Sequence, residues 1–191
     1  MEKLRFYLSL AVAKSAYTTL KVTKLSSGTS IIGRIVLKLC PNFLQDCNKY
    51  ISTKINVTGT NGKTTTSGLI SHLITNSGAS VINNSMGDNM LTGVVNALSV
   101  SLNPLIKTDY SVIESDEAYL AKIYDKFEAD YLVVTNLFRD QLDRYGELAT
   151  TKKLIQEGID KKPNLTLLLN ADDPLVASFK GQNKIYYGVE N

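Results

Sequence analysis

Histidine and cysteine are scarce in this chain of 191 residues, which holds one of the former, His72, and two of the latter, Cys40 and Cys47. A lone histidine cannot supply a histidine ligand cluster, and it leaves no Ser/His/Asp or Cys/His nucleophile arrangement to argue. His72 lies in the helical stretch GLISHLI and reads as a packed or surface residue. Two thiols seven positions apart, with no histidine nearby, fit neither zinc-ligand spacing nor a disulfide framework. They point to free or buried thiols in a reducing compartment. Long apolar runs are missing too. The N-terminal run, residues 6–13, is interrupted by Ser9 and ended by Lys14, far short of the roughly 20 residues a membrane span needs. Lys3 and Arg5 precede it and Ala11-Val12-Ala13 loosely imitates a cleavage site, yet the run is near the lower limit for a signal core. Residues 4–25 instead read as an amphipathic helix with Lys14, Lys21 and Lys24 among its basic positions, and the expected location is cytoplasmic.

Neither sign of charge dominates: 21 basic residues face 18 acidic ones, and 43% of the chain is apolar. That balance excludes a disordered chain and fits one sizeable core. The charge is unevenly spread, however. Residues 1–54 carry nine Lys/Arg against two acids, a net +7, while the remainder is net −4. A basic head on an acidic body suits peripheral contact with an anionic surface, such as the inner face of a membrane, and equally a solvated helix face. The ten tyrosines form no platform with basic residues, so no nucleic-acid partner is expected.

From residue 54 onward, short β-rich runs alternate with helical patterns. Strands are expected at 55–58, 80–83, 110–113, 131–135, 165–169 and 184–187, and helices at 63–76, 89–102, 117–127, about 147–160 and 174–179. The alternation implies an α/β fold with a parallel sheet and helices on both faces. The division expected is a basic helical N-terminal segment and linker over 1–53, with a short helix near 31–39, followed by an α/β unit over 54–191. Polar groups recur just past strand ends, at Thr58-Gly59, Glu114, Asn136 and Asn170 to Asp173. That edge is where open α/β sheets bind ligands.

The most informative segment is VTGTNGKTTT, residues 57–66, between an expected strand and an expected helix. A phosphate-binding loop needs small residues so that backbone N–H groups converge on an anion, a lysine for the outer phosphates, and a hydroxyl for Mg2+. Gly59, Gly62, Lys63 and Thr64 supply these in order. The general phosphate-loop pattern would place glycine at 57, where this chain has Val57; its first glycine comes two residues later.

That compressed TGTNGKTT spacing resembles the nucleotide loop of the Mur ligase superfamily, whose members form peptide-like bonds with ATP. Three further segments resemble that superfamily in the right order: ESDEAYL (114–120), TNLFRDQLDRYG (135–146) and LNADDP (169–174). The stretches GTSIIGRIVLKLCPNFL, NNSMGDNMLTGVVNAL and FRDQLDRYGE are similar to the MurT-type subunits of lipid II isoglutaminyl synthase. The resemblance implies a P-loop parallel sheet of the Mur ligase central-domain type. It implies an ATP-dependent ligase that activates the D-glutamate carboxylate of the lipid II stem peptide for amidation to D-isoglutamine, with ammonia from a GatD-type glutaminase partner. ATP and Mg2+ are the implied cofactors. Lys63 and the segment Gly59, Thr60, Asn61, Gly62, Thr64 and Thr65 would hold the outer phosphates, and Thr64 and Glu114 would hold Mg2+, making Lys63 and Glu114 the catalytic pair. Glu114-Ser115-Asp116 could also simply start a helix. Asn89 and Asn136 line the site or form turns; Asp140 and Asp143 orient a loop or cap a helix. Asn170 and Asp172-Asp173-Pro174 read as a strand-to-helix turn.

The chain departs from ordinary Mur ligases at two places. Gln141 stands where they carry a histidine, and the position of their carbamylated lysine falls near Ile155, so a second metal is not expected. MurT-type chains continue into a four-cysteine zinc ribbon and a C-terminal domain, so the expectation here is a fragment or a split gene, inactive by itself. Two other readings stand beside this one: a folylpolyglutamate synthase-like or other Mur-type ligase, and a nucleotide-binding module without catalysis.

Overall fold

The computed structural model describes residues 2–23, 29–84, 88–138 and 146–189. Among the described residues, six strands form one sheet, β1 (Ile51–Thr58), β2 (Val81–Asn83), β3 (Thr108–Glu114), β4 (Tyr131–Val134), β5 (Thr166–Asn170) and β6 (Asn183–Tyr187). They lie in the order β2-β3-β1-β4-β5-β6, with every neighbouring pair parallel. The helices are α1 (Glu2–Thr23), α2 (Thr29–Leu39), α3 (Phe43–Cys47), α4 (Lys63–Asn76), α5 (Leu91–Ser101), α6 (Glu117–Tyr124), α7 (Gly146–Asp160) and α8 (Pro174–Ala177). The expected alternation of strand and helix is therefore present, with boundaries shifted by a few residues.

The two faces of the sheet are covered unequally. On one, α4 packs on β1, β2 and β3 over a small cluster of Val57, Val112 and Val133 with Ile70 and Ile74. On the other lies the main core, which runs from Leu98, Ile113 and Leu132 through Leu120, Ile155 and Phe179. Burial on both faces explains why strands such as YLVV are continuously apolar rather than alternating.

The N-terminal helices belong to that main core. Phe6, Leu10 and Ala13 of α1 and Ile32 and Val36 of α2 are buried, and both helices pack on α5. Gly33 fixes the α2–α5 approach, since a Cβ there would overlap the Thr92 carbonyl. The Phe6 ring stacks on Phe43 and on Tyr50, each at 5.3 Å between centroids. β1 begins at Ile51, four residues upstream of the expected strand start at 55. Lys14, read from sequence as part of a basic helix face, instead donates from Nζ to the Leu102 carbonyl at 2.8 Å, just past the last turn of α5. A cation suits the negative end of a helix dipole. No helix among the described residues is long and apolar enough to cross a membrane.

A candidate phosphate-binding site at the strand ends

Strand order decides which segments meet. β1 sits between β3 and β4, so the loop after β1 lies beside the ends of both strands, 114–116 and 135–138, although they are some fifty to seventy-five residues away in sequence. The neighbours are in register: Val57 pairs with Glu114 on one side and with Val133 on the other.

The loop from Gly59 to Gly62 turns the chain from β1 into α4 using two left-handed glycines, Gly59 at φ 125° and Gly62 at φ 82°. Gly59 is also demanded by space. A Cβ at that position would collide with the Thr135 hydroxyl and lie 2.9 Å from the Asn136 carbonyl. Gly62 has open space around it, so only its dihedral requires glycine. It occupies the N-cap of α4, and having no side chain it leaves the first-turn N–H groups of Lys63, Thr64 and Thr65 without a side-chain cap. Uncapped N–H groups at the positive end of a 14-residue helix form an anion-binding arrangement.

The loop is held from the β4 side. Thr60 N–H donates to the Asn136 carbonyl at 2.8 Å. Asn61 N–H donates to Asn136 Oδ1 at 3.0 Å, and Asn136 Nδ2 donates back to the Asn61 carbonyl at 3.1 Å. The Thr135 hydroxyl donates to that same carbonyl at 2.7 Å, and Phe138 N–H to the Thr60 hydroxyl at 3.3 Å. Asn136 therefore reaches the loop through its main chain and its amide together.

Lys63, at the first position of α4, bends back across the loop. Its Nζ donates to the Gly59 carbonyl at 2.6 Å, the Thr60 carbonyl at 3.2 Å and Glu117 Oε1 at 3.3 Å. The two side chains of this ion pair are 13% and 15% exposed. Glu117 is the residue that sequence reasoning missed. It lies within the ESDEAYL segment, but nothing in its spacing says that the first turn of α6 would face the loop.

Glu114 ends β3 and is 1% exposed. Its main chain is tied to Asn84 on both sides, with N–H to Asn84 Oδ1 and Asn84 Nδ2 to its carbonyl, each 2.8 Å. Its Oε2 is buried without a hydrogen-bond partner. A buried, unpartnered carboxylate oxygen is costly unless a cation or donor completes it. Beside the glycine loop, with the exposed Thr64 opening α4, the donor set fits a hard divalent cation bound by oxygen atoms. Helix capping does not use Glu114: Asp116 is the N-cap of α6, accepting from Ala118 N–H at 2.9 Å. Ser115 continues the ladder through its N–H to Val57 O at 2.9 Å and accepts from the Thr58 hydroxyl, also at 2.9 Å.

Asn89 is brought to the same edge through its carbonyl, which accepts from Asp116 N–H at 2.9 Å. The Asn170–Pro174 segment forms the expected turn. Asp173 caps α8 and takes the Leu137 N–H at 2.7 Å, while Asn170 Nδ2 donates to the Thr135 carbonyl at 3.0 Å. That turn braces the 135–138 segment, which in turn braces the 59–62 loop. Asp140, Gln141 and Asp143 lie outside the described residues. His72 is exposed and bonded to the Asn76 amide, away from this chemistry.

Comparison with known proteins follows the same segments. Residues 57–191 match the family model of the Mur ligase middle domain. The chain is 37% identical over 165 residues to the subunit MurT of the glutamine-hydrolyzing lipid II isoglutaminyl synthase of Staphylococcus aureus (strain COL), covering 85% of this chain and 37% of that protein. It is 35% identical over 184 residues to the MurT subunit of Streptococcus pneumoniae (strain ATCC BAA-255 / R6), covering 96% and 40%. It thus spans about two fifths of the length of these relatives. Among solved structures, the MurF ligase of Thermotoga maritima in complex with ADP superposes with a TM-score of 0.64 at 20% identity, over 84% of this chain and 37% of that one. At that identity the likeness is one of fold.

Proposed function

The chain belongs to the Mur ligase family, whose middle domain it carries over residues 57–191, and from that premise we propose that it is the nucleotide-binding part of a MurT-type amide ligase acting in peptidoglycan synthesis. The observation that carries the reading is the orphaned Oε2 of buried Glu114, one strand away from a glycine loop that ends in Lys63. Such a carboxylate answers a cation, and the loop answers the phosphates that the cation accompanies. The similarity to MurT subunits supports the choice among Mur-type ligases.

In this reading the N–H groups opening α4 and the Lys63 ammonium bind the β- and γ-phosphates of ATP. Thr64 and Glu114 hold Mg2+, which supplies charge neutralisation on the phosphates when bound. Asn136 keeps the loop open, and Asn89 lines the edge of the site. The reaction is transfer of the γ-phosphoryl group to the D-glutamate carboxylate of the lipid II stem peptide, releasing ADP. Ammonia from a GatD-type glutaminase subunit then displaces phosphate, leaving D-isoglutamine. What the residues of this chain contribute is positioning and charge complementarity rather than a covalent step. The work is cytoplasmic, at the inner face of the membrane that holds the lipid-linked substrate, in a heterodimer.

Titration with ATP, with and without Mg2+, tests the reading. Lys63→Ala is expected to weaken binding by about 1.5–3 kcal/mol, the scale of a hydrogen bond to a charged group. Unchanged affinity would remove the phosphate-loop assignment.

A further inference from the structure

The three protons of the Lys63 ammonium have three acceptors within the protein: the Gly59 carbonyl at 2.6 Å, the Thr60 carbonyl at 3.2 Å and Glu117 Oε1 at 3.3 Å. A lysine so coordinated has no proton left for a ligand. Two of the acceptors belong to the loop itself and are neutral. The third is an anion, held in place from elsewhere in the fold. Asp116 N–H bonds the Asn89 carbonyl at 2.9 Å, the Asp116 carboxylate caps α6, and Glu117 is the next residue, at the first position of that helix. With only 15% of its side chain exposed, Glu117 has little freedom to leave the loop for solvent. A phosphate approaching Lys63 competes with this carboxylate for the same proton, and it is also repelled by it.

We propose that Glu117 is a positioning residue that serves as the resident counter-ion of Lys63. It holds the ammonium across the loop while the site lacks phosphate, and it is exchanged for the outer phosphates when nucleotide binds. The proposal rests on the phosphate-loop reading of Lys63. Its consequence is a threshold. Only a ligand carrying enough negative charge to replace a carboxylate gains the lysine, so Glu117 selects di- and triphosphates over weaker anions and lowers their affinity below what the loop alone would give. Such a device also keeps the lysine paired and folded back between turnovers, since a half-buried cation without a partner is unfavourable.

The test uses the full chain and titrates ATP and inorganic tripolyphosphate in the absence of divalent metal, so that loss of a metal ligand does not enter. Four proteins are compared: wild type, Glu117→Gln, Lys63→Ala and the double variant, each verified as folded by its thermal melt and circular dichroism. Glu117→Gln is expected to bind both ligands about fivefold more tightly than wild type, the worth of a good ion pair. In the Lys63→Ala background the same substitution should change affinity little, because its effect passes through the lysine. Glu117→Asp, which keeps the charge on a shorter arm, should lie between wild type and Glu117→Gln. Weaker or unchanged binding by Glu117→Gln, while Lys63→Ala still loses affinity, would overturn the counter-ion role and leave the phosphate loop standing. Equal tightening with and without Lys63 would show only a general field effect and would likewise overturn it. If Lys63→Ala itself loses nothing, the phosphate-loop reading fails first.

Discussion

Asn61 and Asn136, seventy-five residues apart in the chain, bond each other in both directions: the Asn61 N–H reaches Asn136 Oδ1 at 3.0 Å, and Asn136 Nδ2 reaches the Asn61 carbonyl at 3.1 Å. An amide side chain thereby imitates a neighbouring strand and holds the 59–62 loop in one conformation. Without it, the loop would have to be ordered by the ligand at the ligand's expense.

Asn136→Ala removes both bonds while the main-chain bond from Thr60 N–H to the Asn136 carbonyl remains. Nucleotide affinity is expected to fall about tenfold, from two hydrogen bonds of roughly 0.5–1.5 kcal/mol each partly offset by water. Hydrogen exchange at the Asn61 amide should speed up in the same variant. Asn136→Asp keeps the acceptor but brings a negative charge to the mouth of the loop, and should bind nucleotide more weakly than Asn136→Ala. An affinity equal to wild type in both variants would show that the brace is dispensable.

Glu114 yields a prediction with opposite signs in two conditions. A carboxylate that is 1% exposed with an unpartnered oxygen destabilises the metal-free protein. Neutralising it as Glu114→Gln should therefore preserve or raise the metal-free melting temperature, by the equivalent of about 1 kcal/mol. The wild type is expected to gain stability from Mg2+ with nucleotide, and the same variant should lose that gain. Paired thermal melts decide it. A variant destabilised without metal and still responsive to Mg2+ would make Glu114 a structural group.

The basic N-terminal helices yield a prediction about surfaces. Leu4, Leu8, Val22, Ile31 and Ile35 of α1 and α2 are exposed, and Lys3, Arg5, Lys21, Arg34 and Lys38 are exposed on the same two helices. Lys14 is excluded from this set by its bond to the Leu102 carbonyl. The protein is expected to sediment with anionic vesicles at low salt and to be released by high salt, each cation contributing about 1 kcal/mol near the lipid. Arg34→Glu with Lys38→Glu should weaken the association. Equal binding to anionic and neutral vesicles would count against a membrane role for these helices.

The thiols give a simpler test. Cys40 and Cys47 are both free and buried. Burial pushes both thiols above their ordinary pKa, Cys47 strongly so, and the Asp46 carboxylate adds to it. Thiolate is the reactive form. Neither cysteine should react with a thiol reagent at pH 8 until the protein is unfolded, when both should react at once. Fast labelling of the native protein would show that α3 opens readily.

Much of this molecule was legible before any coordinates. The expected helix over 63–76 coincides with α4 because a glycine with a left-handed dihedral stops the strand pattern on one side and Gly78 closes the turn on the other. Continuous apolar runs marked strands covered on both faces, and the order of glycine, lysine and threonine after one of them marked the loop. These are local properties: a few neighbouring residues fix a dihedral, a period or the chemistry of a turn. What only the tertiary structure decided is how distant segments face one another. The strand order places β3 and β4 on either side of β1, which makes Asn136 a brace of the loop and brings Glu117 to within 3.3 Å of Lys63. It also turned Lys14 from a surface cation into a partner of the Leu102 carbonyl. No spacing in the sequence encodes those pairings, because they arise from the register of parallel strands and from the burial that packing imposes on each end.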